Sequence, residues 1–401
     1  MRRALAVAVT GALGVLLTVT VVNVPASAAA APQTSHRVCA AAPVGFAACD
    51  SWVHARTSAQ PAATTPTGYG PADLQSAYNL AAASASNGAG VTIGIVDAFD
   101  DPTAFGDVNT YRAQFGIPAL ASCTPTTIRS STTPCFAKSN QTGGTTPPRK
   151  NGSWAQEESL DVDMASAICP HCNILLVEAD TNSLANLGAS VNEAVTLGAA
   201  VVSNSYGGGE ASAEVTEESQ FYNHPGVAIT ASSGDGGFGV EFPAASQFVT
   251  AVGGTSLVRA NNARGWSETV WSGAGSGCSA FVTKPAWQTD AGCARRTVAD
   301  VSAVADPNTG VAVFDSTLFQ GLSGWLEFGG TSVSSPIIAS VYALAGNAST
   351  VTYGSFPYSH TASLNDVTSG SNGDCGNYLC TGGAGYDGPT GLGTPNGTGA
   401  F

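Results

Sequence analysis

Four short apolar runs through the middle of the chain restrict its fold more than any other feature. Val91-Thr-Ile-Gly-Ile-Val-Asp97, Asn173-Ile-Leu-Leu-Val-Glu-Ala179, Ala199-Ala-Val-Val-Ser-Asn-Ser205 and Val227-Ala-Ile-Thr-Ala231 each read as a buried strand. Among them lie stretches with helical character: Trp154 to Ile168, Leu184 to Leu197 and Ala213 to Tyr222. Strands without a polar face need cover on both sides, and intervening helices supply it. The pattern predicts an α/β fold with a mostly parallel sheet and helices on both faces. Residues 365–401 are rich in Gly, Ser and Pro and read as loop, and no internal repeat is visible.

The start of the chain has a different character. Arg2 and Arg3 precede an apolar run from Ala4 to Val24, and Ala26-Ser27-Ala28 is a small-x-small cleavage pattern. Residues 1–28 are therefore expected to be a secretory signal peptide rather than an anchor, and the mature chain is expected outside the cell and off the membrane. Residues 29–66, rich in Ala, Pro, Thr and Ser, read as an N-terminal extension or linker, and residues 67–401 as the folded domain. Ten cysteines suit an oxidising compartment. They fall in close pairs, and neighbour pairing would give five short loops, although spacing does not fix connectivity. Acidic side chains outnumber basic ones 28 to 14, which argues against nucleic acid as a partner. That balance suits either acidic surroundings or ordinary solubility. A monomer acting on polypeptides is the expectation.

Phe328-Gly-Gly-Thr-Ser-Val-Ser-Ser-Pro336 leads into the apolar run ending at Gly346. It presents Ser332 at the start of a buried helix, where free N–H groups and the dipole favour a developing oxyanion. A nucleophilic serine needs a base. None of the five histidines (His36, His54, His171, His224, His360) is followed by Gly, as the histidine of a subtilisin-type Ser-His-Asp site would be. Carboxylates are the alternative. Glu157 and Asp161 lie four residues apart and share a helix face that Met164, Ala165 and Ile168 continue inward. Two carboxylates on such a face hold a shared proton more tightly. The same residues also read as solvated helix charges, and Glu158 and Asp163 compete for the same roles. Asp235, in Ala231-Ser-Ser-Gly-Asp-Gly-Gly237, follows an apolar strand at the edge where open sheets place their sites, or marks a plain Asp-Gly turn.

These residues, taken in order, resemble the sedolisin family of serine-carboxyl peptidases. The resemblance rests on Glu157-Glu-Ser-Leu-Asp161, Ser203-Asn-Ser-Tyr-Gly207, Gly234-Asp235, Pro243 to Thr255, and Gly329 to Pro336. It implies a subtilisin-like, doubly wound α/β fold and an acid-acting endopeptidase. Ser332 would be the nucleophile, Glu157 the base, Asp161 its proton-sharing partner and Asp235 a protonated oxyanion donor. A catalytically silent peptide-binding relative is the alternative. Asp97 stands where some members carry an outer acid, whereas the position of their strand-end Trp is Tyr206.

The tail resembles the family's calcium site. Asp366 and Asp387 would supply side-chain oxygens to one structural Ca2+, and Val367, Gly383 and Gly385 backbone carbonyls. Cys169-Pro-His-Cys172 follows a helix and precedes a strand, so a structural bridge is expected there rather than a reactive dithiol. Two features depart from the family pattern. Only residues 29–66 separate the expected signal from the domain, which leaves no room for a large inhibitory prosegment, and Gly329 stands where Ser is usual.

Overall fold

The Thr92–Ala98 strand lies inside a nine-stranded sheet. The computed structural model describes residues 33–56 and 65–401. The expected signal peptide over 1–28 lies outside the described residues, as do 29–32 and 57–64 of the extension. Among the described residues, no helix is long and apolar enough to cross a membrane.

Across the sheet the order is Trp266–Val270, Thr250–Arg259, Ala228–Ser232, Val201–Asn204, Thr92–Ala98, Asn173–Ala179, Cys135–Asn140 and Ala121–Ser122, and Val301–Val304 pairs with Thr250–Arg259. All of these pairs are parallel except that of Trp266–Val270. The four central strands have every residue buried, as their unbroken apolar character predicts. Helices Leu184–Thr196 and Glu214–Phe221 pack together, the first against the Thr92–Ala98 and Asn173–Ala179 strands. Helices Gly152–Ile168 and Thr331–Ala345 pack on one another and on the sheet. The expected doubly wound α/β architecture is present.

Residues 33–56 are not a free linker. Gln33–Arg37 and Trp52–Arg56 join Leu322–Gly329 and Val311–Phe319 in a four-stranded antiparallel sheet, in the order Gln33–Arg37, Trp52–Arg56, Leu322–Gly329, Val311–Phe319. Val311–Phe319 packs on the Gly152–Ile168 helix. That helix therefore lies between two sheets, and every residue from Trp154 to Ile168 is buried. Its start is closed by Asn151, whose Oδ1 accepts from the amides of Ser153 at 3.0 Å and Trp154 at 3.4 Å. The half-buried face expected from helical periodicity is thus buried all round.

The five disulfides join Cys39–Cys49, Cys123–Cys135, Cys169–Cys172, Cys278–Cys293 and Cys375–Cys380. Cys169–Cys172 closes the turn from helix Gly152–Ile168 into strand Asn173–Ala179, as a structural bridge would.

Candidate active site

Ser332 is the second residue of helix Thr331–Ala345, which begins after Gly330. Gly330 has φ 99°, and a Cβ there would lie 2.1 Å from the Asp50 carbonyl oxygen, so glycine is required twice over. Pro336, inside this helix, has no N–H for the carbonyl of Ser332. The Ser205 hydroxyl donates to that carbonyl instead, at 3.4 Å. The Ser332 hydroxyl in turn donates to the Ser205 carbonyl at 3.0 Å. Ser205 thus fastens the turn that carries Ser332 from both sides, a role that only the Ser203-Asn-Ser-Tyr-Gly207 motif hinted at.

Glu157, Asp161 and Asp97 are all fully buried. Burial pushes the Glu157 carboxyl up to about 8, with Asp235 adding to the shift. Neither Glu157 oxygen has a hydrogen-bond partner, yet the Ser332 and Ser51 hydroxyls stand near enough to favour its ionised form. Asp161 is held well above the ordinary carboxylate range by burial and then by Glu157, while the Ser205 hydroxyl opposes the shift. Asp97, at the end of its strand, is raised by burial, then by Asp161 and Glu157. These carboxylates form one buried group next to the serine, and it must hold protons because desolvated like charges cannot all be ionised. The solvated-charge reading of Glu157 and Asp161 is excluded. Tyr206 gives its hydroxyl to Asn204 Oδ1 at 2.8 Å rather than to Asp97.

Glu158 and Asp163 turn elsewhere. Glu158 accepts from the Asp101 amide at 3.1 Å, and Asp163 from the Phe314 amide at 2.9 Å. Asp235 Oδ1 accepts from the amide of Thr331 at 2.8 Å and from its hydroxyl at 2.9 Å. Its Oδ2 is buried and unpartnered. Burial pushes this carboxyl up to about 8. A protonated Oδ2 is free to donate to an oxyanion, as an ionised one is not.

The two halves of the tail meet through carboxylate–amide hydrogen bonds. Asp366 Oδ2 accepts from the Gly385 amide at 2.9 Å, and Asp387 Oδ2 from the Gly383 amide at 3.1 Å. Burial pushes Asp387 up to about 7, with Asp366 adding to the shift. The two carboxylates are near enough for Asp366 to act on Asp387, and oxygen donors on Gly-rich backbone suit a hard cation. Composition did not foretell another carboxylate group. Asp101, Asp107 and Asp315 each offer an oxygen within 4.8 Å of the others. Thr103, Ser316 and Thr317 amides donate to them, so the group closes turns between helix Ala104–Gln114 and strand Val311–Phe319.

Sequence reasoning missed Asp50 and Ser51, both buried, the first beside Asp235 and the second beside Glu157. The Ser332 amide donates to the Asp50 carbonyl at 2.9 Å. A strand-like Trp52-Val-His beside a close cysteine pair was the available signal.

No family model matches the chain. Among curated proteins it is similar to sedolisin of Pseudomonas sp. strain 101, 28% identical over 375 residues, covering 83% of this chain and 60% of that protein. It is also similar to kumamolisin of Bacillus sp. strain MN-32, 29% identical over 380 residues, covering 83% and 63%. The chain thus spans about three-fifths of the length of these relatives. The solved structure of Pseudomonas sedolisin, a serine-carboxyl proteinase complexed with two molecules of pseudo-iodotyrostatin, is similar with a TM-score of 0.67 and 26% identity, over 83% of this chain and 96% of that one. An S41 psychrophilic protease shares the fold, with a TM-score of 0.52, 18% identity, and coverage of 83% and 99%. Over most of its length the chain is similar in sequence and in fold to the first of these proteins, which supports the sedolisin family for it.

Proposed function

We propose that the chain is a secreted serine-carboxyl endopeptidase that hydrolyses peptide bonds at acidic pH. The observation that carries this reading is the arrangement about Ser332: Glu157 and Asp235 are both buried beside it, and burial raises the proton affinity of each. Ser332 Oγ attacks the scissile carbonyl as its proton passes to one oxygen of Glu157 and the proton Glu157 already holds moves on to an ionised Asp161, the pair carrying one negative charge between them before the attack. Hydrogen bonds in such sites tighten once substrate is seated. The tetrahedral oxyanion takes the Ser332 N–H at the helix N-terminus and the proton-bearing Oδ2 of Asp235. Glu157 returns the proton to the leaving nitrogen, and water repeats the sequence on the ester. The peptidase names of the relatives support the same reaction class.

Calcium is proposed as a structural cofactor, held by Asp366 and Asp387 with the carbonyls of Val367, Gly383 and Gly385. It would screen the two carboxylates from each other and order a tail with little core of its own. The deciding experiment is a pH profile of peptide hydrolysis for the parent, Ser332→Ala and Glu157→Gln. Hydrolysis should be strongest at acid pH and should fall by more than about 10³-fold in Ser332→Ala. Undiminished hydrolysis in a purified Ser332→Ala variant would refute the assignment.

A further inference from the structure

Three acidic side chains meet where helix Ala104–Gln114 faces strand Val311–Phe319. Asp101 lies in the turn before that helix, Asp107 in its first turn and Asp315 in the strand. Their exposures are 0%, 5% and 0%. Among the described residues no lysine or arginine forms an ion pair with any of them. Lys138 is committed to Asp100 and Glu178, and it donates to the carbonyl of Asp101 at 2.8 Å. Local amides satisfy one oxygen of each carboxylate. Asp101 Oδ1 accepts from Thr103 at 2.9 Å, Asp107 Oδ2 from Ser316 at 2.8 Å and Asp315 Oδ1 from Thr317 at 2.8 Å. Asp315 Oδ2 is buried and has no partner. A fourth acid brings another bare oxygen. Asp163 is 1% exposed, its Oδ2 accepts from the amide of Phe314, next to Asp315, and its Oδ1 is buried without a partner. Burial raises the proton affinity of Asp163 against the Phe314 amide, and Asp107, Asp315 and Asp101 add to the shift, so its carboxyl stands within reach of the same three. Hydroxyls ring the group: Thr103 Oγ1 and Thr317 Oγ1 lie 3.1 Å apart, and 2.8 and 3.5 Å from Asp101 Oδ1.

We propose that Asp101, Asp107 and Asp315 form a second structural cation site, one that takes calcium. Buried carboxylate oxygens without donors are costly, and a cation among them removes that cost. The available ligands are all carboxylate and hydroxyl oxygens, which suit a hard ion. Oxygens within 4.8 Å of one another can share an ion about 2.4 Å from each, the calcium distance. Magnesium sheds its waters reluctantly and suits so closed a site less well. Without an ion, burial and then Asp101 and Asp107 push Asp315 up to about 8, against the Thr317 amide. With one, its charge offsets the repulsion and desolvation that keep such a group protonated. Ser159, on helix Gly152–Ile168, donates to Asp101 Oδ2 at 3.3 Å, and Asp163 lies on that same helix. The ion thus ties helix Ala104–Gln114 and strand Val311–Phe319 to the helix that carries Glu157 and Asp161, and it fastens the strand that covers those two carboxylates. The site also differs from the tail in access. Asp366 is exposed, so an ion there exchanges with solvent, whereas an ion enclosed by Asp101, Asp107 and Asp315 is taken up as the chain folds and is retained.

The test uses the full chain carrying Ser332→Ala, against self-digestion, and Asp387→Asn, to silence the tail. It is produced with calcium present and desalted at neutral pH, and its metal content is read by inductively coupled plasma mass spectrometry. The expected result is about one calcium per chain, lost when Asp315→Asn is added. Asn keeps an oxygen for the Thr317 amide, so that variant should retain the far-UV spectrum. Heating with EGTA should lower the unfolding midpoint of the first chain and leave that of the Asp315→Asn chain unchanged. A folded first chain that holds no metal after desalting, and whose midpoint neither calcium nor magnesium moves, overturns the inference. Calcium retained undiminished in Asp315→Asn overturns it as well, and magnesium held in its place overturns the choice of ion. If Asp315→Asn fails to fold, anomalous diffraction from Mn2+ in crystals of the first chain decides: a peak among the three carboxylates supports the site, and a peak only elsewhere overturns it. None of these outcomes bears on the peptidase reading, because the chain tested lacks the Ser332 hydroxyl.

Discussion

Glu157→Gln, made in a Ser332→Ala background so that the protein does not digest itself, measures the proton on which the chemistry depends. Glu157 is fully buried, and burial moves its carboxyl from 4.5 to about 8. Between those values the group is neutral in the folded chain and ionised in the unfolded one. The folded state then binds more protons, so stability is complete below the unfolded value and is lost as pH rises towards the folded one. One carboxyl contributes a slope of about 1.4 kcal/mol per pH unit across the interval. Gln has nearly the same shape and does not titrate. Urea unfolding at a series of pH values should therefore show the parent losing roughly 3 kcal/mol more than the variant between about pH 5 and pH 7. The variant's own curve will not be flat, because burial is the leading cause of the raised proton affinity of Asp161 and of Asp97. Parallel curves for parent and variant would mean that Glu157 is ionised in the folded chain, and the proton-sharing mechanism would fall.

Ser205→Ala removes the hydroxyl that serves the Ser332 carbonyl left bare by Pro336; thermal unfolding should show a loss of about 1–2 kcal/mol, and kcat should fall more than KM rises, because the nucleophile's turn loosens. Arg296 and Asp300 are both fully buried and paired, so Asp300→Ala strands a charge and should cost about 3–5 kcal/mol in denaturant unfolding, whereas a loss below about 1 kcal/mol would contradict the pairing. Calcium at about 100 times its Kd should stabilise the parent by about 2.7 kcal/mol in differential scanning calorimetry, and Asp387→Asn should remove most of that gain. Burial raises Asp387 to about 7, and a cation needs the ionised carboxylate. The calcium gain should therefore be full above that pH and shrink below it, and a gain unchanged by Asp387→Asn would put the ion elsewhere.

The parts of this molecule legible in its sequence are those governed by local rules. Asn173–Ala179 was readable to the residue because a fully buried parallel strand has no polar face to blur its ends. Ser332 was readable because glycine, small residues and a proline surround it in a short span. The state of Glu157 and Asp161 was not, because spacing assigns a helix face but not what covers it. Their cover comes from strand Val311–Phe319, extended across the sheet by Leu322–Gly329 and Trp52–Arg56, segments far away in the chain. The composition of 29–66 suggested a linker, and this obscured the contribution of Trp52–Arg56. Yet the same segment carries Asp50 and Ser51 into the cleft. One stretch of chain therefore both extends the sheet that dries the carboxylates and fills the groove they serve.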